Sequence, residues 1–269
     1  MRKQRRAGLA ALAVATLALL YVPLVAVAAL SFNASRYGVA WTGFTLQWYT
    51  RLLRNPVVLR AALNTLLLAA ISTTVATVLG TLLALGVERF PWPRRLKRTI
   101  DTLVMVPVVI PDIVFAVGML LAFEAARRLF PELRLGMATM VVAHITFEIP
   151  FIALVVGSRL ATVGRTVEEA ARDLYADTSY ALRRVTLPLL VPGVVAGAML
   201  AFTLSLDDFV ISFFTSGPTS VTLPLYIYGA LRRGISPEVH ALSTVVFVVT
   251  VLLVLALQLV MRTPKEDQV

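Results

Sequence analysis

Two stretches of this chain, Ala61–Val87 and Ala241–Met261, contain no charged residue, and four more are almost as apolar: Ala7–Leu30, Thr102–Phe123, Met137–Gly157 and Val185–Phe214. A helix needs about 20 mostly apolar residues to cross a bilayer, so each stretch is long enough. The chain is 58% apolar and only 15% charged, against about 45–50% and about 25% in ordinary globular domains. A soluble fold of this size could not hide so much apolar surface. The absence of cysteine removes a disulfide-stapled scaffold. The reading is an all-α integral membrane protein with six transmembrane helices, 1–269 forming a single transmembrane domain.

The net charge of +10 would suggest nucleic acid in a soluble chain. Here the basic residues lie between apolar runs and lack the aromatic interleaving that grips single strands, so no nucleic-acid partner is expected. Their distribution sets topology instead. With the N-terminus inside, 16 Lys and Arg fall in cytoplasmic segments and 9 outside, the bias that inner loops carry. Both termini are then cytoplasmic. Arg2–Arg6, an apolar run and Ala26-Val27-Ala28 also suit a cleaved secretory signal, but the run exceeds the about 7–15 residues of a signal core. Trp41, Trp48 and Tyr49 read as interfacial anchors on the outer side. The small and hydroxylated residues of the second span (Asn64, Ser72, Thr73, Gly80) read as close helix packing.

Five acids lie in or at the ends of spans, Asp101, Asp112, Glu148, Asp207 and Asp208, whereas no Lys or Arg lies within any span. A carboxylate at the bilayer centre costs about 2.5–3.5 kcal/mol on insertion scales and usually faces a cavity or a partner. Asp101, beside Arg94–Arg98, reads as interfacial. Asp112 and Glu148 each reach roughly 15 Å deep at a helical rise of about 1.5 Å per residue. Pro107, Pro111 and Pro150 cluster around them, and broken helices near the midplane often form transporter sites. Asp207 and Asp208 cannot face the same way on one helix; one can line a path while the other caps a neighbour. His144, four residues before Glu148, reads as its hydrogen-bond partner and not as a metal ligand. A path for cationic solutes is the sharper reading; protonated or hydrogen-bonded structural acids are the plainer one.

No phosphate-binding loop or nucleophile-elbow arrangement occurs, so neither ATP binding nor hydrolase chemistry is expected of this chain. Energy must come from an ion gradient or from another subunit. The inside loop Ser158–Leu187 is polar and helix-prone. Thr166 and Glu169 fit a capping box, and Ala170, Ala171 and Leu174 give the short helix a small apolar face suited to a groove on another protein.

Glu169-Ala170-Ala171, followed at fixed spacing by Val185-Thr186-Leu187-Pro188, resembles the E-A-A-x-x-x-G … I-x-L-P signature of bacterial ABC-importer permeases. The chain departs at the glycine, which is Tyr175, and at the isoleucine, which is Val185. Ser205-Leu206-Asp207-Asp208-Phe209-Val210, Ser216-Gly217-Pro218, Leu223-Pro224-Leu225-Tyr226-Ile227-Tyr228, Gly234 to Leu242, Pro111-Asp112-Ile113-Val114 and His144-Ile145-Thr146-Phe147 are similar to the spermidine/putrescine permeases of the PotC type. Glu148 is an addition to that pattern.

The resemblance implies a type I ABC-importer permease fold with cytoplasmic coupling helices, in the inner membrane of a bacterium. It implies a second permease subunit as a heterodimer partner, two ATPase subunits and an extracytoplasmic solute-binding protein. ATP and magnesium would sit on the ATPase, and this chain would bind no cofactor or metal. Glu168, Glu169, Ala170, Ala171, Asp173, Leu174, Tyr175, Ala176, Leu187 and Pro188 would form the ATPase-coupling segment. Asp112, Glu148, Asp207 and Asp208, with Tyr226 as a cation-attracting aromatic face, are the candidates for the substrate path. Another cationic or neutral solute, or proton-coupled transport through the buried acids, are the alternatives. The first helix is expected to be retained: N-terminal sequencing of purified protein should not begin near Ala29, and a start there would make the first span a cleaved signal.

Overall fold

The computed structural model describes residues 2–35, 40–232 and 237–261, without the side chains of 2–8, 11, 253, 254 and 256–261. Arg36, Arg233, the start of the Gly234 motif and the charged tail from Arg262 lie outside the described residues. In chain order the α-helices are α1 Arg2–Leu30, α2 Gln47–Arg54, α3 Pro56–Arg89, α4 Arg94–Val109, α5 Asp112–Arg127 and α6 Met137–Val163. They continue as α7 Thr166–Asp173, α8 Thr178–Ala181, a π-helical turn Leu182–Thr186, α9 Leu187–Asp207, α10 Val210–Thr215, α11 Leu223–Arg232 and α12 Pro237–Met261. The extended pairing among the described residues is a single bridge, Asn33 to Phe44.

Four helical segments are long and apolar enough to cross a membrane, and a bent pair could serve as a fifth span. The expected third span, Thr102–Phe123, is not one continuous helix: α4 and α5 meet at 108°. Pro111 supplies no N–H and forces Ile110 into an extended conformation (φ −68°, ψ 136°), as a residue before proline prefers. The fifth is also divided, α9 ending where Asp208 turns extended (φ −61°, ψ 125°). Pro150, by contrast, sits inside an unbroken α6. α12 runs 25 residues, Pro237–Met261, and is apolar over Pro237–Leu252.

The chain divides into two compact units, Met1–Leu59 with Tyr226–Val269, and Arg60–Leu225. In the first, α12 packs on α1 and α2. Trp48 is 3% exposed and its indole N–H donates to the Asn33 carbonyl at 2.8 Å. It is a core residue and not an interfacial anchor, a role left to the exposed Trp41. Tyr49 bonds Ser31 at 2.6 Å. The Asn33 amide holds the following loop by donating to Ala40 O and accepting from Thr42 N. Among the described residues none of Leu12–Leu30 is buried, so the side of α1 turned away from α12 is left to lipid or to another subunit.

The second unit is built around α6, against which α9, α4, α10 and α5 pack. Lipid is as apolar as leucine, so close van der Waals fit through small residues replaces hydrophobic exclusion as the force between helices. At Gly80 of α3 an added Cβ would lie 2.8 Å from the Ile152 Cβ, and at Gly193 of α9 one would lie 2.6 Å from the Arg159 Cβ. Ile152, Val156, Leu160 and Leu190 fill the resulting core. The packing role read for the second span holds at Gly80 and at Asn64, whose amide donates to Thr219 O and Val221 O. Gly193→Val should force α9 off α6 and cost about 1–3 kcal/mol, the usual range for overpacking, read as a lowered midpoint of thermal unfolding in detergent; an unchanged midpoint would refute this contact as a determinant of the fold.

Candidate functional site

The sequence places acids at the two points where apolar helices break, and the second unit shows how each break is made. Asp112 is the first residue of α5, where the free N–H groups and the helix dipole favour a carboxylate. It is exposed, as is Asp207, the last residue of α9. Packing of α5 against α10 brings the elements that flank the two breaks together. Among the described residues neither Asp112 nor Asp207 forms an ion pair.

Asp208 has a different task. Its Oδ1 accepts from Ile211 N at 3.1 Å and its Oδ2 from Ser212 N at 2.8 Å, satisfying two orphan donors of the first turn of α10. His144 Nε2 lies 3.3 Å from Asp208 Oδ2 and 3.2 Å from Ser212 Oγ, and its Nδ1 lies 2.8 Å from Ser205 Oγ. The ring thus bridges Asp208 and Ser212 on one side and Ser205 on the other. The adjacent aspartates therefore divide as expected, Asp207 outward and Asp208 as an internal cap.

Glu148 does not face an opening. It is 1% exposed, with Ser72 Oγ donating to its Oε1 at 2.8 Å, and Ser72 and Ser205 lie 3.3 Å apart. The sequence reading paired His144 with Glu148 directly; they stand 3.9 Å apart, and the link runs through Ser205 and Ser72. Glu148 Oε2 has no hydrogen-bond partner among the described residues. Asp101 is exposed within α4 and lines, with Glu88, Lys97 and Met105, a cleft of about 350 Å³ that includes none of the other four acids. Tyr226 lies half-buried on α11, in the first unit.

The loop after α6 forms two short helices, as the resemblance implied. The capping box does not form: Arg165 occupies the cap position without a side-chain bond, and Thr166 is already inside α7. Asp177 instead caps α8, accepting from Tyr180 N. Between them Tyr175 adopts φ +62°. The tyrosine thus takes the glycine-like conformation of the residue it replaces in the signature, at a cost of roughly 1–2 kcal/mol. Its side chain is 98% exposed and that of Leu174 82%. Glu169, Ala170, Asp173 and Pro188 are exposed, while Glu168, Ala171, Ala176 and Leu187 are half-buried. Sequence reasoning missed Ser72, Ser205 and Ser212 as members of the buried cluster; isolated serines in apolar runs carry no signal of a shared partner.

Asp208→Ala should destabilise the fold by about 1–3 kcal/mol by orphaning two N–H donors. Asp112→Asn and Asp207→Asn, which cut no ion pair, should stay within about 0.5 kcal/mol of the parent. Parallel thermal unfolding in detergent checks both, and equal losses at the three positions would contradict the division of roles.

Residues 76–263 match the family described as "Binding-protein-dependent transport system inner membrane component". The chain is 40% identical over 245 residues, 91% of its length and 90% of the relative's, to the spermidine/putrescine transport system permease protein PotC of Escherichia coli (strain K12). It is 38% identical to the putrescine transport system permease protein PotI of the same organism, over 84% of this chain and 81% of that one. Among solved structures, a chain of a bacterial ABC transporter involved in the import of the acidic polysaccharide alginate matches with a TM-score of 0.77 at 18% identity, covering 98% of both chains. A chain of the MetNI methionine ABC transporter matches with a TM-score of 0.63 at 22% identity, over 81% of this chain and 98% of that one. At these identities the structures speak to fold alone, and the relatives to family: the chain belongs to the inner-membrane components of binding-protein-dependent transport systems.

Proposed function

We infer that this chain is the polyamine-conducting permease subunit of an ATP-driven importer, not itself an enzyme. The observation that carries the reading is that Asp112 and Asp207 stand at two helix breaks joined by the packing of α5 on α10, both exposed and without an ion-pair partner among the described residues. Two acids without a basic side chain to pair with favour a solute that brings two or more positive charges. The names of the 40% and 38% identical relatives, spermidine/putrescine and putrescine permeases, support the same cargo class. Glu148 acts on the path from behind, by fixing the cluster that holds Asp208.

Energy enters through α7 and α8. Leu174 and Tyr175 project from a loop rich in charge, a surface suited to a groove on a separate ATPase that holds ATP and magnesium. Two such ATPases, a second permease in heterodimeric arrangement and an extracytoplasmic binding protein complete the assembly. The six-span topology counts α4 with α5 as one bent crossing and α12 as the last. Both termini and α7 are then cytoplasmic, the side on which 16 of 25 basic residues fall.

Uptake of radiolabelled putrescine, spermidine and a choline-type cation by the reconstituted complex tests the reading. Polyamine uptake should require ATP and fall about tenfold or more in Asp112→Asn and Asp207→Asn, as loss of a charged contact of about 1.5–3 kcal/mol predicts. Uptake without any ATPase, preference for the monovalent cation, or full activity of both variants at normal assembly would overturn it.

A further inference from the structure

The loop that bears α7 is fastened to the membrane helices through one carboxylate. Arg89, the last residue of α3, donates from Nε to Glu168 Oε1 at 2.8 Å and from Nη2 to the Gly164 carbonyl at 3.1 Å. Thr186 Oγ donates to the same Glu168 oxygen at 3.0 Å. Thr186 closes the π-helical turn and directly precedes α9. Gly164 is the residue on which α6 ends, in a left-handed conformation (φ +71°). A second tie runs beside the first: Arg165 Nη2 donates to the Glu88 carbonyl at 2.9 Å.

Most surface ion pairs contribute little because water competes for both partners. This one differs in burial and in geometry. The Arg89 and Glu168 side chains are 21% and 14% exposed, Thr186 is 2% exposed, and two donors converge on one oxygen. Removing either charge leaves the other half-buried without its partner, which is far more costly than the pair is worth. Glu169, one residue on, is exposed, so the two adjacent acids do different things. The π turn matters because such turns interrupt regular hydrogen bonding and occur often where helices must adjust. Here it sits between the loop and α9.

We propose that Arg89 and Glu168 are positioning residues that transmit movement of α7 to α3 and α9, with Thr186 as the third member of the link. This rests on the reading of α7 as the ATPase-docking element. A push on α7 cannot be absorbed within the loop, because its inner acid is held simultaneously by the end of α3 and the start of α9. Those two helices carry Ser72 and Ser205 of the buried cluster and, at the far end of α9, Asp207. The link therefore runs from the loop to the helix break without passing through the ATPase-facing surface itself.

The chain contains no cysteine, so Asp207→Cys provides one thiol at the break. In the full complex with its ATPase subunits, reconstituted in lipid, ATP with a trapping vanadate should change the labelling rate of that thiol by about fivefold or more, the lower end of ordinary coupling between sites. Glu168→Gln or Arg89→Gln in that background should shrink the change to less than about twofold while the ATPase still co-purifies. The exchanged pair Arg89→Glu with Glu168→Arg should regain most of it, which a merely structural staple elsewhere in the loop would not predict. Where a single variant fails to assemble, Thr186→Val, which deletes one hydrogen bond, decides by the same measurement and should lose part of the change. An assembled Glu168→Gln complex with the parent's response overturns the link, as does an exchanged pair that regains nothing. A parent with no ATP-dependent change overturns the docking reading and the link with it. A full thiol response in the Asp207→Cys complex, with no polyamine uptake by the complex that keeps Asp207, overturns the cargo reading alone.

Discussion

The contact on which the second unit turns is the one between His144 and Asp208. α9 and α10 part at a position with neither proline nor glycine, so nothing in the backbone obliges the helix to stop there. The stop is held by a carboxylate that accepts two N–H groups of the next turn and is steadied by an imidazole from α6. The same ring holds Ser205 on the preceding helix. One side chain thereby fixes both sides of the break. Asp208 is committed inward as a consequence, and Asp207, its neighbour, is left outside and unpaired.

That arrangement depends in turn on how closely α6 is approached. A polar cluster inside a bilayer is useful only when its members meet at hydrogen-bond distance, since hydrocarbon offers them no substitute partner. Gly80 and Gly193 let α3 and α9 approach α6 so closely that a single methyl group would collide. Ser72 from one side and Ser205 from the other then reach the face of α6 that carries His144 and Glu148. Small residues at the crossing points and hydroxyls about two to three turns away are two parts of one device.

Much of this was legible in the sequence wherever the signal is local. The apolar runs, the short helices around Ala170 and the bend at Pro111 each announce themselves within a few residues. Helical geometry already separates Asp207 from Asp208, although the structure parts them by ending α9 between the two. What could not be read depends on partners distant along the chain. Glu148 looks like an exposed acid until Ser72, 76 residues away, closes over it. Trp48 looks like an interfacial ring until the Asn33 carbonyl receives its N–H. Arg89 and Glu168, 79 residues apart, carry no shared pattern. The break at Asp208 was visible only as an interruption in an apolar run, because its cause is a cap and not a helix-breaking residue.

Tyr175 holds a backbone conformation that L-residues other than glycine, asparagine and aspartate seldom occupy. Valine, isoleucine or threonine there would add the crowding of a branched Cβ to the strain already present. The position is thus a narrow gate for mutational drift. Changes toward glycine or asparagine run downhill in backbone energy but surrender the aromatic tip, whereas β-branched replacements run uphill.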